Sequence, residues 1–216
     1  MAQIYPSLLP LDVNTIDHYV KELEPLCPGF HIDIMDNTFV PNTGISVEKT
    51  NQIATRTYRT LWVHLMVEKP HEYLNQLQMP AGSLLTFHIE SHKDTKRLIK
   101  DILEKKWRPG IAISPKTGVE EIMGFLDTID QVLIMSVEPG FSGARFLKET
   151  MDKIDPLLAI RHSQNLHFKI AMDGGIDLEN IKIIAERGVD EIAVGSGIFK
   201  YSDAAQAYRL LSERIA

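Results

Sequence analysis

Cysteine occurs once in these 216 residues, at position 27. One thiol excludes an intramolecular disulfide and a cysteine-built zinc site. Positive charge is also in short supply: 23 Lys and Arg stand against 29 Asp and Glu, a formal net charge of −6. Non-specific nucleic-acid binding needs a basic surface to displace counterions, so no nucleic-acid partner is expected. A local basic pocket for a small anion is still compatible with this balance. No apolar run reaches the length of a membrane span, so no membrane partner is expected either. The first residues, MAQIYPSLLPLD, lack the basic-then-apolar pattern of a secretory signal, and a cytoplasmic location is the simplest expectation. No linker, low-complexity tract or charge block divides the chain. Hydrophobic residues make up 44% and charged residues 24%, as in an ordinary globular protein.

What is present is a regular alternation. Short apolar runs predict strands at 3–9, 29–35, 60–66, 83–88, 108–114, 131–136, 167–172 and 191–194. Amphipathic stretches predict helices near 15–27, 47–56, 71–78, 94–106, 118–127, 147–163, 178–187 and 203–215. Strict strand–helix alternation implies a parallel sheet covered by helices. Eight such units in this length fit an α/β single-domain (β/α)8 TIM barrel spanning 1–216. A doubly wound open sheet is the competing architecture, but no G-x-G-x-x-G follows the first strand. Cys27 falls late in the first predicted helix, and Trp62 and Trp107 read as packing anchors beside strands.

In a barrel, chemistry gathers at the C-terminal ends of the strands. The stretch 31–36, HIDIMD, is unusual there. Alternation puts His31, Asp33 and Met35 on one strand face and Ile32, Ile34 and Asp36 on the other. In VHLMV (63–67), His64 and Met66 follow the same two-residue spacing on the next strand, so the two histidines are expected to be neighbours. With Asp173, these residues offer mixed imidazole and carboxylate donors suited to Zn²⁺, Fe²⁺, Mn²⁺ or Co²⁺. Hydrogen-bonded histidines packed near a barrel rim would give the same pattern. A second signal is glycine. EPGFSG (138–143), DGG (173–175) and GSG (195–197) follow three successive strands. Glycines there let backbone N–H groups approach a phosphate, although tight turns alone also call for them.

Taken together these segments resemble the ribulose-phosphate 3-epimerases. The resemblance runs through PSLLPLD (6–12), HIDIMDNTFVPNTGI (31–45), VHLMVEKP (63–70), FHIES (87–91), GIAISPKT (110–117), MSVEPGFSGARF (135–146), MDGGI (172–176) and VGSGIF (194–199), in order and in register. It implies a (β/α)8 barrel that interconverts D-ribulose 5-phosphate and D-xylulose 5-phosphate through an enediolate. It implies one divalent metal ion (Zn²⁺, Fe²⁺, Mn²⁺ or Co²⁺) held by His31, Asp33, His64 and Asp173, with Asp33 and Asp173 as the acid–base pair. It places Ser7 and His64 beside the sugar, and Met35, Met66 and Met135 around the reaction centre. Gly140, Phe141, Ser142, Gly143, Gly174, Gly175, Gly195 and Ser196 would receive the rest of a small sugar phosphate. Barrels of this kind usually associate, so a homo-oligomer is expected.

Five positions depart from the usual family pattern: Asn37 for Gly, Ser114 for Asn, Glu138 for Asn or Asp, Ser142 for Gly and Ala144 for Gln. They bear on the choice of sugar and keep a 3-epimerase of a six-carbon ketose phosphate, such as D-allulose 6-phosphate, as the alternative. A non-catalytic sugar-phosphate-binding barrel would be expected to have lost a ligand or acid–base residue, and all four are present. A decarboxylase of the orotidine-phosphate type needs Asp-x-Lys on a strand, which HIDIMD lacks. His88 is expected behind the site rather than as a ligand. His18, His71, His92, His162 and His167 read as surface or structural.

Overall fold

The protein's structure, a computed structural model, describes residues 2–91, 94–141 and 143–216. His92 and Ser142 lie outside the described residues. Eight parallel strands form one sheet: β1 (Gln3–Pro6), β2 (Gly29–Met35), β3 (Thr60–Met66), β4 (Leu84–His88), β5 (Arg108–Ile113), β6 (Gln131–Met135), β7 (Lys169–Asp173) and β8 (Glu191–Val194). The hydrogen-bonded order is β1-β8-β7-β6-β5-β4-β3-β2. Between β1 and β2 the barrel closes at a parallel bridge of Ser7 with His31 and a 3.0 Å bond from the Leu8 N–H to the His31 carbonyl. This is the predicted (β/α)8 barrel.

The two-residue period of each strand builds two separate cores. Outward residues such as Phe30, Ile32, Ile34, Leu61, Val63 and Leu65 pack against the helices. Inward residues, among them Tyr5, Trp62, Leu84, Leu133 and Ala171, fill the barrel. A third, small cluster of Met35, Val40 and Met66 sits at the mouth. The barrel floor is polar yet satisfied. Trp62 Nε1 donates to Thr86 Oγ1 at 3.0 Å, Thr86 Oγ1 to Gln131 Oε1 at 2.9 Å, and Gln131 Nε2 to Glu191 Oε2 at 2.7 Å. Trp62 is thus a filler of the barrel interior. Trp107 is buried just before β5 and donates its indole N–H to the Met79 carbonyl at 3.1 Å.

Helices α1 (Ile16–Leu23), α2 (Val47–Ala54), α3 (Pro70–Leu74), α4 (Thr95–Glu104), α5 (Ile154–Ser163), α6 (Ile181–Glu186), α7 (Ser196–Phe199) and α8 (Ala204–Arg214) surround the sheet. Three have side-chain caps: Ser46, Asp94 and Asp203 accept the N–H of Lys49, Arg97 and Gln206. Among the described residues no helix is long and apolar enough to cross a membrane. Cys27 lies past the end of α1, buried, and burial pushes its thiol up to about 11.

The structure differs from the sequence expectation at five main places. Residues Val119–Phe125 wind as a 3-10 helix, not an α-helix. Gly118 brings no capping side chain, and Gly124, inside the segment, weakens an α-helix by about 1 kcal/mol. The helix expected over 147–163 is broken into a 3-10 segment (Lys148–Lys153) and α5. Pro156 has no N–H for the Asp152 carbonyl and its ring clashes there, so α5 starts only two residues before it, with Pro156 in its first turn. The first strand stops at Pro6, the partner of the last β8 residue, Val194; Ser7 gives its N–H to the Val194 carbonyl at 2.9 Å and bridges on its other side to His31 of β2. β7 runs to Asp173, which pairs with both Met135 and Ala193. Finally GSG opens one helical turn, α7, closed by Ile198 and Phe199 N–H groups on the Gly195 carbonyl.

Candidate active site

The register of β2 and β3 sets Asp33 beside His64 and Met35 beside Met66. All four side chains point inward, as does His31. His31 Nε2 and His64 Nδ1 each lie 3.1 Å from Asp33 Oδ1, and 3.5 and 3.8 Å from Asp173 Oδ2. The second oxygen of Asp33 accepts the Ser7 hydroxyl at 3.0 Å. Strands 140 residues apart in sequence, β2 and β7, therefore converge on one point. His31 and His64 are fully buried; Asp33 is 1% exposed.

The electrostatics of this point are severe. Burial alone would depress His31, but the carboxylates of Asp33 and Asp173 outweigh it and push the imidazole up to about 10. Burial would likewise raise Asp33, yet His31 and His64 hold it far below the usual carboxylate range. His31 Nδ1 is a buried side-chain nitrogen without a hydrogen-bond partner, alone in this among the side chains of the described residues. Two imidazole nitrogens and two carboxylate oxygens all lie within 4.8 Å of one another. Bonds of about 2.0–2.2 Å to a single cation would place such donors roughly 3–4 Å apart. The cluster can therefore hold a divalent ion, and its mixed N and O donors fit a transition metal better than a magnesium or calcium ion.

Above the cluster opens a narrow cleft whose walls include Asp33, Asp173, Ser7, Met35, Met66 and Met135. Gly140, Phe141, Gly143, Gly174, Gly175, Gly195 and Ser196 complete the opposite side. Nearly every residue expected to meet the sugar phosphate is thus gathered in one place. His64 is not part of the wall, because it is wholly buried. Leu9, Pro10, Val137, Ile176 and Ala193 also line the cleft, the first four within four residues past the ends of β1, β6 and β7 and the last on β8. That position was the signal available for them.

The loops meet over the mouth. Asn42 Nδ2 donates to the Gly140 carbonyl at 2.9 Å, and a Cβ on Gly140 would stand 2.9 Å from Val40 Cβ. Gly174 and Gly175 have φ of +116° and +64°. A Cβ on Gly174 would press on Val137 and one on Gly175 on the backbone of 144–146, so both glycines serve close packing of the two loops. Of the departures, Asn37 adopts φ +58°, a turn that Asn tolerates. Glu138 turns away to pair with Lys116 at 2.9 Å on the surface. Ser114 gives its N–H to Glu90 at 2.8 Å. Glu90, in FHIES, stands with His88 at the end of the fourth predicted strand. Burial would raise its carboxyl, but bonds from His88, Thr117 and Ser114 hold it down at about 2. His88, depressed by burial, lies behind His64 and not in the cluster. His18, His162 and His167 are exposed, and His71 lies 3.4 Å from Asp101.

Fold and cluster together define a (β/α)8 barrel with a mixed histidine–aspartate centre at the C-terminal ends of its strands. Residues 3–199 match the model of the ribulose-phosphate 3 epimerase family, and the chain belongs to that family. It is 33% identical over 195 residues to a ribulose-phosphate 3-epimerase of Treponema pallidum (90% of this chain, 89% of the relative). It is 33% identical over 219 residues to the cytoplasmic isoform from Oryza sativa subsp. japonica (99% and 94%). It is 34% identical over 214 residues to the enzyme of Aquifex aeolicus (98% and 96%). Among solved structures, 3-hexulose-6-phosphate synthase from Salmonella typhimurium superposes with a TM-score of 0.70 at 15% identity, covering 99% of this chain and 98% of that one. This last likeness concerns the fold.

Proposed function

We propose that the protein is a metal-dependent 3-epimerase that interconverts D-ribulose 5-phosphate and D-xylulose 5-phosphate. The observation that carries this is the convergence of Asp33 and Asp173, beside His31 and His64, on the floor of a cleft walled by three methionines. Membership of the family and the names of its relatives support the five-carbon substrate over the six-carbon alternative.

Inversion at C3 needs one group to take the proton next to the C2 ketone and another to return one on the opposite face. Asp33 and Asp173 are the two carboxylates that reach the cleft, and they exchange roles when the reaction runs backward. Ser7 orients Asp33 through its hydroxyl, leaving the carboxylate a fixed direction of attack. His31, Asp33, His64 and Asp173 are the residues that would hold the ion. The chemistry a bound divalent ion supplies is Lewis-acid stabilisation of negative charge on the oxygens of an enediolate. Met35, Met66 and Met135 exclude water and bring no acidic proton to compete. The glycine loops after β6, β7 and β8 receive the phosphate at the far end of the cleft.

The test is proton NMR of the protein with D-ribulose 5-phosphate in D₂O. Formation of D-xylulose 5-phosphate carrying deuterium at C3, stopped by a chelator and restored by Zn²⁺, Fe²⁺, Mn²⁺ or Co²⁺, is expected. Absence of both exchange and product with every one of these ions would overturn the reading.

A further inference from the structure

Behind the cluster runs a second string of buried polar groups. His64 turns Nδ1 to Asp33 and Nε2 to His88 Nε2, 3.0 Å away. The two ring planes differ by 25° with centroids 5.1 Å apart, so the nitrogens meet nearly edge to edge. His88 Nδ1 lies 3.0 Å from Glu90 Oε2. Glu90 Oε1 receives the Ser114 N–H at 2.8 Å and the Thr117 hydroxyl. Both imidazoles are fully buried, so water cannot complete their hydrogen bonds.

This string has a direction. A neutral imidazole has one donor and one acceptor nitrogen, and an ionised carboxylate only accepts. Glu90 thus calls for the proton on His88 Nδ1. His88 Nε2 is then an acceptor and calls for a proton on His64 Nε2. A neutral His64 is left with a bare Nδ1, 3.1 Å from a carboxylate oxygen. Two acceptors that close require a positive charge between or beside them. In the opposite arrangement, His64 Nδ1–H satisfies Asp33, but His88 Nδ1 then faces Glu90 with no proton. Only a cation at the cluster, a proton or a metal ion, satisfies every contact at once.

We infer that Glu90 and His88 are positioning residues that hold His64 as its Nε2–H tautomer and so commit His64 Nδ1 to the metal. Ser114 and Thr117 are the brace that aims Glu90. The inference rests on the metal-dependent reading proposed above. His31 has no such device, since its outer nitrogen meets no partner.

The experiment compares Zn²⁺ affinity, by competition with a chromophoric chelator, and histidine tautomers, by long-range ¹H–¹⁵N NMR, in four proteins: wild type, Glu90→Gln, His88→Gln and His88→Leu. The Zn²⁺-loaded wild type should show His64 protonated at Nε2. In Glu90→Gln, the Ser114 N–H fixes the amide oxygen, so the amide nitrogen faces His88 and donates to it. His88 should switch to Nε2–H and Zn²⁺ affinity should fall about 10–100-fold. His88→Leu should show a similar loss, and His88→Gln, whose amide oxygen accepts from His64, should recover most of it. A packing role alone would not move the tautomers. Wild-type tautomers and affinity in Glu90→Gln would overturn the relay, and this variant decides the matter even where His88→Leu does not fold. A wild type that binds no Zn²⁺, or binds it equally well as Asp33→Asn, would instead remove the metal-dependent reading and the relay with it.

Discussion

Replacing Gly175 by alanine tests whether the glycine loops are built for packing as well as for ligand approach. Gly175 has φ +64°, where an L-residue is disfavoured by about 1–2 kcal/mol. Its new methyl would lie 2.5 Å from Phe146 N, 2.7 Å from the Ala144 carbonyl and 2.9 Å from Phe146 Cα. These are backbone atoms, so no rotamer change relieves them. The 144–146 segment must retreat by about 1 Å, at an overpacking cost of about 1–3 kcal/mol. The sum is about 2–5 kcal/mol. For a domain of this size, roughly 2–4 °C of Tm is lost per kcal/mol, so calorimetry should show a drop of about 4–20 °C. Gly143→Ala is the internal control. It too has a positive φ, +77°, but among the described residues nothing beyond its chain neighbours lies within 4 Å of its Cβ, so only the conformational part, about 1–2 kcal/mol, should appear. Because Gly175 and Gly143 both line the cleft, KM should rise in the first variant more than in the second. A Gly175→Ala protein that melts with the wild type, or no lower than Gly143→Ala, would refute the packing argument.

Other outcomes follow from the same geometry. Asp33→Asn and Asp173→Asn should each lower kcat by about 10²–10⁴-fold or more, the usual worth of a positioned acid or base, and near-wild-type turnover in either would remove that residue from the mechanism. In the metal-free protein His31 is raised from 6.5 to about 10, so its stabilisation is complete below pH 6.5 and is lost as pH rises through about 10. Asp33 is depressed, and its stabilisation holds above the ordinary carboxylate value and fades only in strong acid. A metal ion must displace the His31 proton, so Zn²⁺ Kd measured by calorimetry should fall about tenfold per pH unit across the neutral range, with proton release. A pH-independent Kd would contradict this. Asn37→Gly should leave Tm within about a degree, whereas Asn37→Val, forced to φ +58°, should lose about 1–2 kcal/mol by denaturant melt.

The sequence by itself determined the strand faces and, with them, most of the site. A two-residue period needs no tertiary information, so His31, Asp33 and Met35 could be assigned to one face, and His64 and Met66 to the same side of the next strand. Eight alternating units in 216 residues were enough for the barrel, and the rule that chemistry lies at strand ends pointed to Asp173 and the glycine loops. Local breaks were harder to read, because Pro156 acts through a hydrogen bond four residues away and Gly118 through the cap it lacks. Tertiary structure alone decided what depends on atoms distant in sequence. It brought Asp173 within 3.5 Å of His31, closed the barrel through Ser7 and His31, and laid Asn42 over Gly140. It also decided which nitrogen of each histidine faces the cluster: Nε2 for His31 and Nδ1 for His64. A spacing rule says on which side a ring lies, but its rotation follows from the partners it meets. For His64 those partners are Asp33 on one side and the His88–Glu90 pair on the other.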